Sequence, residues 1–173
     1  LLQWDQSIFQ VAIGPEGRFY AVSGYQDVEL YNADQQLIWQ YRTGLVDGDA
    51  SRKPIAFSPD GDFFCIGNLN KKGQISILDL AELEISQELE EHSFYVQDLE
   101  FSADGSYLIS VGNHPGIIIW HNWRGHFSRF KKIDDAHDQT VFSVAYHPTK
   151  QLFLAGQGDQ PDKKAPISTW QLL

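Results

Sequence analysis

At 173 residues the chain has the length of one domain, and its 23 acidic and 13 basic side chains leave a net charge of −10, a surface that repels phosphate backbones and argues against nucleic-acid binding. Its one cysteine, Cys65, excludes an internal disulfide and, inside Phe63-Phe-Cys-Ile66, reads as a small buried hydrophobe. No apolar run approaches membrane-spanning length and no signal peptide opens the chain, which points to a cytoplasmic protein that does not bind membranes.

In chain order the elements repeat. An apolar, polar, apolar triplet comes first: Val11/Ile13, Ile55/Phe57, Leu99/Phe101 and Val144/Tyr146. A turn follows each: Gly14-Pro-Glu-Gly17, Ser58-Pro-Asp-Gly61, Ser102-Ala-Asp-Gly105 and His147-Pro-Thr-Lys150, starting 44, 44 and 45 residues apart. A second apolar run then ends at Gly24, Gly67, Gly112 or Gly156. Period-2 alternation before a turn and an apolar run after it predict a β-hairpin, and four hairpins at one fixed period predict a repeat architecture.

Third strands are expected around Val28–Tyr31, Ile75–Leu78, Ile117–Trp120 and Ile167–Trp170, and polar fourth strands at Gln36–Tyr41, Glu84–Leu89 and about His126–Lys132. Four antiparallel strands per unit make a propeller blade. The fold is thus expected to be all-β, with blades at about 1–44, 45–90, 91–134 and 135–173 in a single propeller or half-propeller domain. The last unit runs out at Trp170-Gln-Leu-Leu173, so it lacks its outer strand and leaves an open edge. The chain holds no methionine and opens on Leu1-Leu2, and so reads as a segment of a longer product.

The pattern Glu91-His92-x3-Val96-x2-Leu99-x-Phe101-Ser102-Ala-Asp-Gly105, with Trp120 at the end of the third strand, resembles the WD-repeat β-propeller family. Ala136-His137-x3-Val141-x2-Val144-x-Tyr146-His147-Pro148, with Trp170, repeats the resemblance. The family's blade carries Gly-His before the first strand and Trp-Asp closing the third. Here the glycine is absent from both His-bearing units, and Trp is followed by His121 or Gln171. The Asp that typical members place in a buried Asp-His-Ser/Thr-Trp network is replaced by His114 or Lys164, so His92 and His137 need other acceptors or point to solvent. The first unit, with Trp39 in its outer strand, is similar to quinoprotein-type blades. The resemblance implies a divergent propeller, completed as a homodimer or within a larger ring.

Little in the sequence speaks for chemistry. His114 and His121 flank one strand, which separates them by some six residues, on the order of 20 Å, so they cannot share one metal ion. The clusters Asp47-Gly-Asp49, Asp134-Asp135-x2-Asp138 and Asp159-x2-Asp162 lack the ligand ladder of a calcium loop. No phosphate loop, nucleophile elbow or metalloprotease motif occurs, and no cofactor is expected. The expected function is a non-enzymatic scaffold whose loop rim binds a protein or peptide of basic character. The rim candidates are Tyr25, Asp47, Asp49, His92, Phe94, Tyr95, His114 and His137. The alternatives are a propeller enzyme of quinoprotein or lactonase type, or a segment serving assembly alone.

Overall fold

The computed structural model describes residues 7–24, 27–42, 52–113, 116–133, 140–158 and 167–171. Among them the chain is all-β, in four antiparallel sheets of the propeller-blade kind. Sheet 1 holds β1 (Ile8–Ile13), β2 (Phe19–Gly24), β3 (Asp27–Asn32) and β4 (Leu37–Arg42). Sheet 2 holds β5 (Ile55–Phe57), β6 (Phe63–Gly67), β7 (Gln74–Asp79) and β8 (Glu84–Glu90). Sheet 3 holds β9 (Val96–Phe101), β10 (Tyr107–Gly112), β11 (Ile117–Trp123) and β12 (His126–Ile133). Sheet 4 has three strands among the described residues: β13 (Val141–Tyr146), β14 (Leu152–Gln157) and β15 (Ile167–Gln171).

The expected hairpins form for a local reason. In the second and third sheets a serine side chain nucleates the turn: Ser58 Oγ donates to Asp60 Oδ1 at 2.5 Å and accepts from the Phe63 N–H at 2.9 Å. Ser102 does the same with Asp104 at 2.6 Å and Tyr107 at 2.9 Å. Gly61 and Gly105 then take φ of 75° and 72°, a region that favours glycine. The first hairpin closes through a single 3₁₀ turn at Pro15–Gly17, and the fourth without the serine device.

Inner strands pack in the order β1, β5, β9, β13, and each junction between neighbouring sheets buries its own apolar cluster. Ala21, Val28 and Leu30 of sheet 1 meet Ile55, Phe64, Ile66 and Leu78 of sheet 2. Cys65, Ile75 and Ile77 meet Leu99, Leu108, Trp120 and Phe127 of sheet 3. Ile109, Val111, Ile117 and Ile119 meet Val144, Phe153 and Ala155 of sheet 4. Each sheet thus buries both faces when flanked by two others, which is why its central strands read as near-continuous apolar runs. Cys65 is fully buried, as its neighbours suggested, and burial pushes its thiol well above the usual range.

A polar side chain crosses each junction onto backbone. Gln10 of β1 donates to Ile55 O and accepts from the Ile55 N–H, both at 3.0 Å. Gln87 of β8 grips Phe127 of β12 in the same way, at 2.6 and 2.9 Å. Asp98 of β9 accepts from the Val144 N–H at 2.9 Å.

Candidate functional site

The loops entering the inner strands and the loops between second and third strands meet on one rim. Asn68, just past β6, is buried and uses its whole hydrogen-bonding capacity there. Its Nδ2 donates to Arg52 O at 2.9 Å and Val96 O at 2.7 Å, and its Oδ1 accepts from the N–H groups of Gly73 at 3.1 Å and Val96 at 3.0 Å. Further round, Gln97 donates to Asn113 Oδ1 at 3.2 Å, and Asn113 Nδ2 donates to Thr140 Oγ1 at 2.8 Å. One polar thread therefore runs across sheets 2, 3 and 4.

That thread holds the loop between β8 and β9 from both sides. Gly73, at φ 73°, lies so close that a β-carbon there would strike the carbonyl oxygens of His92 and Phe94. A β-carbon at Gly112 would meet Tyr95 O at 2.5 Å. Glycine is required at both places by close backbone approach. The loop is fixed by backbone contacts, and Phe94, 56% exposed, is the large apolar side chain it presents.

Three of the residues expected at the rim are described. His92 is only 6% exposed and turns inward, its Nε2 2.8 Å from Ser110 Oγ, while Trp120 Nε1 donates to the same oxygen at 2.9 Å. Ser110 and Trp120 are the serine and tryptophan of the family's network, so His92 has a partner and does not point to solvent: it braces the loop. Phe94 projects outward, and Tyr95 is half-buried with Lys72 Nζ 5.0 Å from its ring centroid. Tyr25, Asp47, Asp49, His114 and His137 lie outside the described residues.

Charges beside Phe94 are arranged in pairs. Lys71 bonds Glu90 at 2.7 Å, and Arg129 bonds Glu91 at 2.5 Å. Hydrogen bonds from Lys71 and then Gln74 hold the Glu90 carboxyl below its usual value. The inner-strand wall is different. A cavity of about 550 Å³ is lined by Gln10, Ile55, Phe57, Asp98, Glu100 and Phe101 among others. Burial raises Asp98 and Glu100 above the usual carboxylate range, against hydrogen bonds from the N–H groups of Val144 to Asp98 and of Tyr146 to Glu100. Both carboxylates serve the junction with sheet 4. Among the described residues no group of three or more His, Cys, Asp or Glu side chains could hold a metal ion, and no helix is long and apolar enough to cross a membrane.

Reasoning from the sequence missed Asn68, Gly73 and Gln97. A signal was there for the first two: Asn68 and Gly73 bracket the turn after an apolar strand, and Asn and Gly are the residues that tolerate positive φ. Asn68 has φ 56°.

The family model described as "WD domain, G-beta repeat" matches residues 83–121 and 128–160. The first segment carries His92, Ser110 and Trp120. Protein HIR1 of Yarrowia lipolytica is 25% identical over 124 residues, covering 61% of this chain and 11% of its own length. The WD repeat-containing protein 55 homolog of Aedes aegypti is 29% identical over 118 residues, covering 68% of this chain and 24% of its own length. The eukaryotic translation initiation factor 3 subunit I of Kluyveromyces lactis is 23% identical over 155 residues, covering 79% of this chain and 44% of its own length. The chain spans less than half the length of each of these relatives.

Proposed function

We propose, from the premise that this chain is a divergent member of the WD-repeat family, that it is a non-enzymatic scaffold whose loop rim docks a protein or peptide through Phe94. The observation that carries this is the close packing of that loop: Asn68, Gly73, His92 and Gly112 hold the backbone from which Phe94 projects. Aromatic anchors on preorganised surfaces supply most of the energy in protein interfaces, because little entropy is lost on binding. The net charge of −10 favours a partner with basic groups around an apolar residue. Tyr95 and Lys72 flank the anchor, and Tyr25, Asp47, Asp49, His114 and His137 are proposed as further partner contacts from the sequence alone.

Affinity purification of the tagged full-length protein from its own cells tests the reading. A Phe94→Ala variant of unchanged Tm is expected to lose a partner that the parent retains. An identical set of co-purifying proteins for parent and variant would refute it.

The same scaffold is proposed to complete its ring head to tail, with a second copy or with further blades. Val11 and Ile13 on β1 are 65% and 71% exposed, whereas Ile55, Leu99 and Val144 at matching positions are buried by a preceding sheet. Light scattering on the full-length protein distinguishes the two: a dimer mass supports two copies, a monomer mass further blades in one chain. A monomer in which Ile13→Arg leaves Tm unchanged would refute both.

A further inference from the structure

Polar side chains that join neighbouring sheets also frame a small cavity, where the chain enters the inner strands of sheets 1, 2 and 3. It measures about 210 Å³ and is lined by Phe9, Gln10, Arg52, Lys53, Pro54 and Gln97. Gln10 is tied to both backbone groups of Ile55, Asn68 holds the carbonyl of Arg52, and Gln97 donates to Asn113. Each wall is thus fastened to the sheets around it. At about 30 Å³ per water the space takes about seven waters or one side chain, and it is too small for a cofactor.

The charge of this lining is opposite to the net charge of −10. Two other cavities are lined by carboxylates, Asp98 and Glu100 in one, Asp60, Asp62 and Asp104 in the other. Here the described lining residues include two cations and no carboxylate. Lys53 is 2% exposed, and its Nζ donates to Asn68 O at 3.2 Å. Arg52 is exposed, with its guanidinium 5.4 Å from the Phe9 ring centroid. Other arginines are met by oxygen: Arg18 donates to Asp60 O, Arg42 lies 3.9 Å from Asp27 and from Glu29, and Arg129 pairs with Glu91. Among the described residues the Arg52 guanidinium has no such oxygen, and contact with Phe9 leaves its planar fork of donors open to one.

We propose that this cavity receives the carboxylate side chain of a glutamate-bearing peptide segment. The carboxylate pairs with Arg52 through two parallel hydrogen bonds, and the buried charge of Lys53 in the same wall adds to the attraction. The methylenes of the glutamate lie against Phe9 and Pro54. Those two apolar residues beside the cations favour such a side chain over inorganic phosphate, which has no apolar surface to bury against them. The site is separate from Phe94 and does not rest on docking there.

The test titrates the full-length protein with the peptide acetyl-Gly-Glu-Gly-amide at constant ionic strength. Acetyl-Gly-Gln-Gly-amide and inorganic phosphate are the comparisons. The backbone amide NMR signals of Phe9, Arg52, Lys53 and Gln97 are expected to shift and saturate. The glutamate peptide should bind at least about tenfold more tightly than the glutamine peptide. Arg52→Gln, at an exposed side chain, should weaken that binding by about tenfold. Lys150→Gln removes the same charge from the turn after β13 and should leave the binding unchanged. The proposal is overturned if the shifts do not saturate, or if the two peptides bind alike. It is also overturned if both variants weaken binding equally, or if phosphate shifts these signals and the glutamate peptide does not.

Discussion

The junctions on the two sides of sheet 3 solve one problem with different chemistry. Toward sheet 2, neutral amides carry the polar contacts: Asn68 holds both backbone groups of Val96, and Gln87 holds both of Phe127. Phe63, Phe101 and Phe127 fill the outer space, and the indole of Trp120 reaches Ser110. Toward sheet 4 the core is mostly branched aliphatic, and besides the rim contact of Asn113 with Thr140 the polar contacts between the inner strands are the carboxylates of Asp98 and Glu100. Trp170, at the position of Trp120, faces Ala155 where sheet 3 has Ser110, and its Nε1 is buried without a hydrogen-bond partner among the described residues. The fold therefore forms with or without the serine–tryptophan bond. An amide junction is satisfied at every pH, whereas a carboxylate junction depends on ionisation.

The largest expected effect is at Asn68. Removing its side chain strands buried donors and acceptors on both sides of the first junction, so Asn68→Ala is expected to cost about 3 kcal/mol, read as a shift of the urea midpoint. A loss under about 1 kcal/mol would mean that water or relaxed backbone replaces the amide, and the contrast between the junctions would shrink.

Next comes a matched pair. Trp120→Phe breaks a buried hydrogen bond and Trp170→Phe removes an unsatisfied donor, so the first is expected to cost about 1–2 kcal/mol more than the second by thermal unfolding. Equal losses would show that packing alone sets the value of both indoles.

A smaller gain is expected from repairing the second junction. Ala155→Ser places a hydroxyl diagonal to Trp170, as Ser110 is to Trp120, and should stabilise by about 1 kcal/mol if the indole takes it as acceptor. A loss would mean that sheet 4 has no room for the oxygen.

The smallest effect is a dependence on pH. Burial raises Asp98 and Glu100 above their ordinary values of 3.8 and 4.5. In such groups the folded state binds the proton more tightly than the unfolded chain does. Their contribution is fully present below those ordinary values and is lost as pH rises through the raised ones. The Tm of Asp98→Asn minus that of the parent should therefore increase with pH from below 3.8 upward. A flat difference would remove the electrostatic distinction between the two junctions.

Some of this was open to a reader of the chain alone. Alternation around Ser58-Pro-Asp-Gly61 and Ser102-Ala-Asp-Gly105 predicts the hairpins because serine, aspartate and glycine nucleate the turn within five residues. Strand identity follows from period-2 patterning, a property of each segment by itself. The rim was legible only in part. Phe94 lies on the expected loop, but His92 looked like a candidate partner contact and proves to be inward, because its bond to Ser110 spans 18 residues.

By itself the sequence determined the number of units, their period, their turns and the strands within each, since all of these rest on interactions between near neighbours. Tertiary structure alone decided the joints. Gln10 reaches Ile55 across 45 residues, Asn68 reaches Val96 across 28, Gln87 reaches Phe127 across 40 and Asp98 reaches Val144 across 46. In each case the partner is a backbone N–H or C=O, which nearly every residue carries. No motif marks such a partner, so these contacts appear only once the sheets stand side by side.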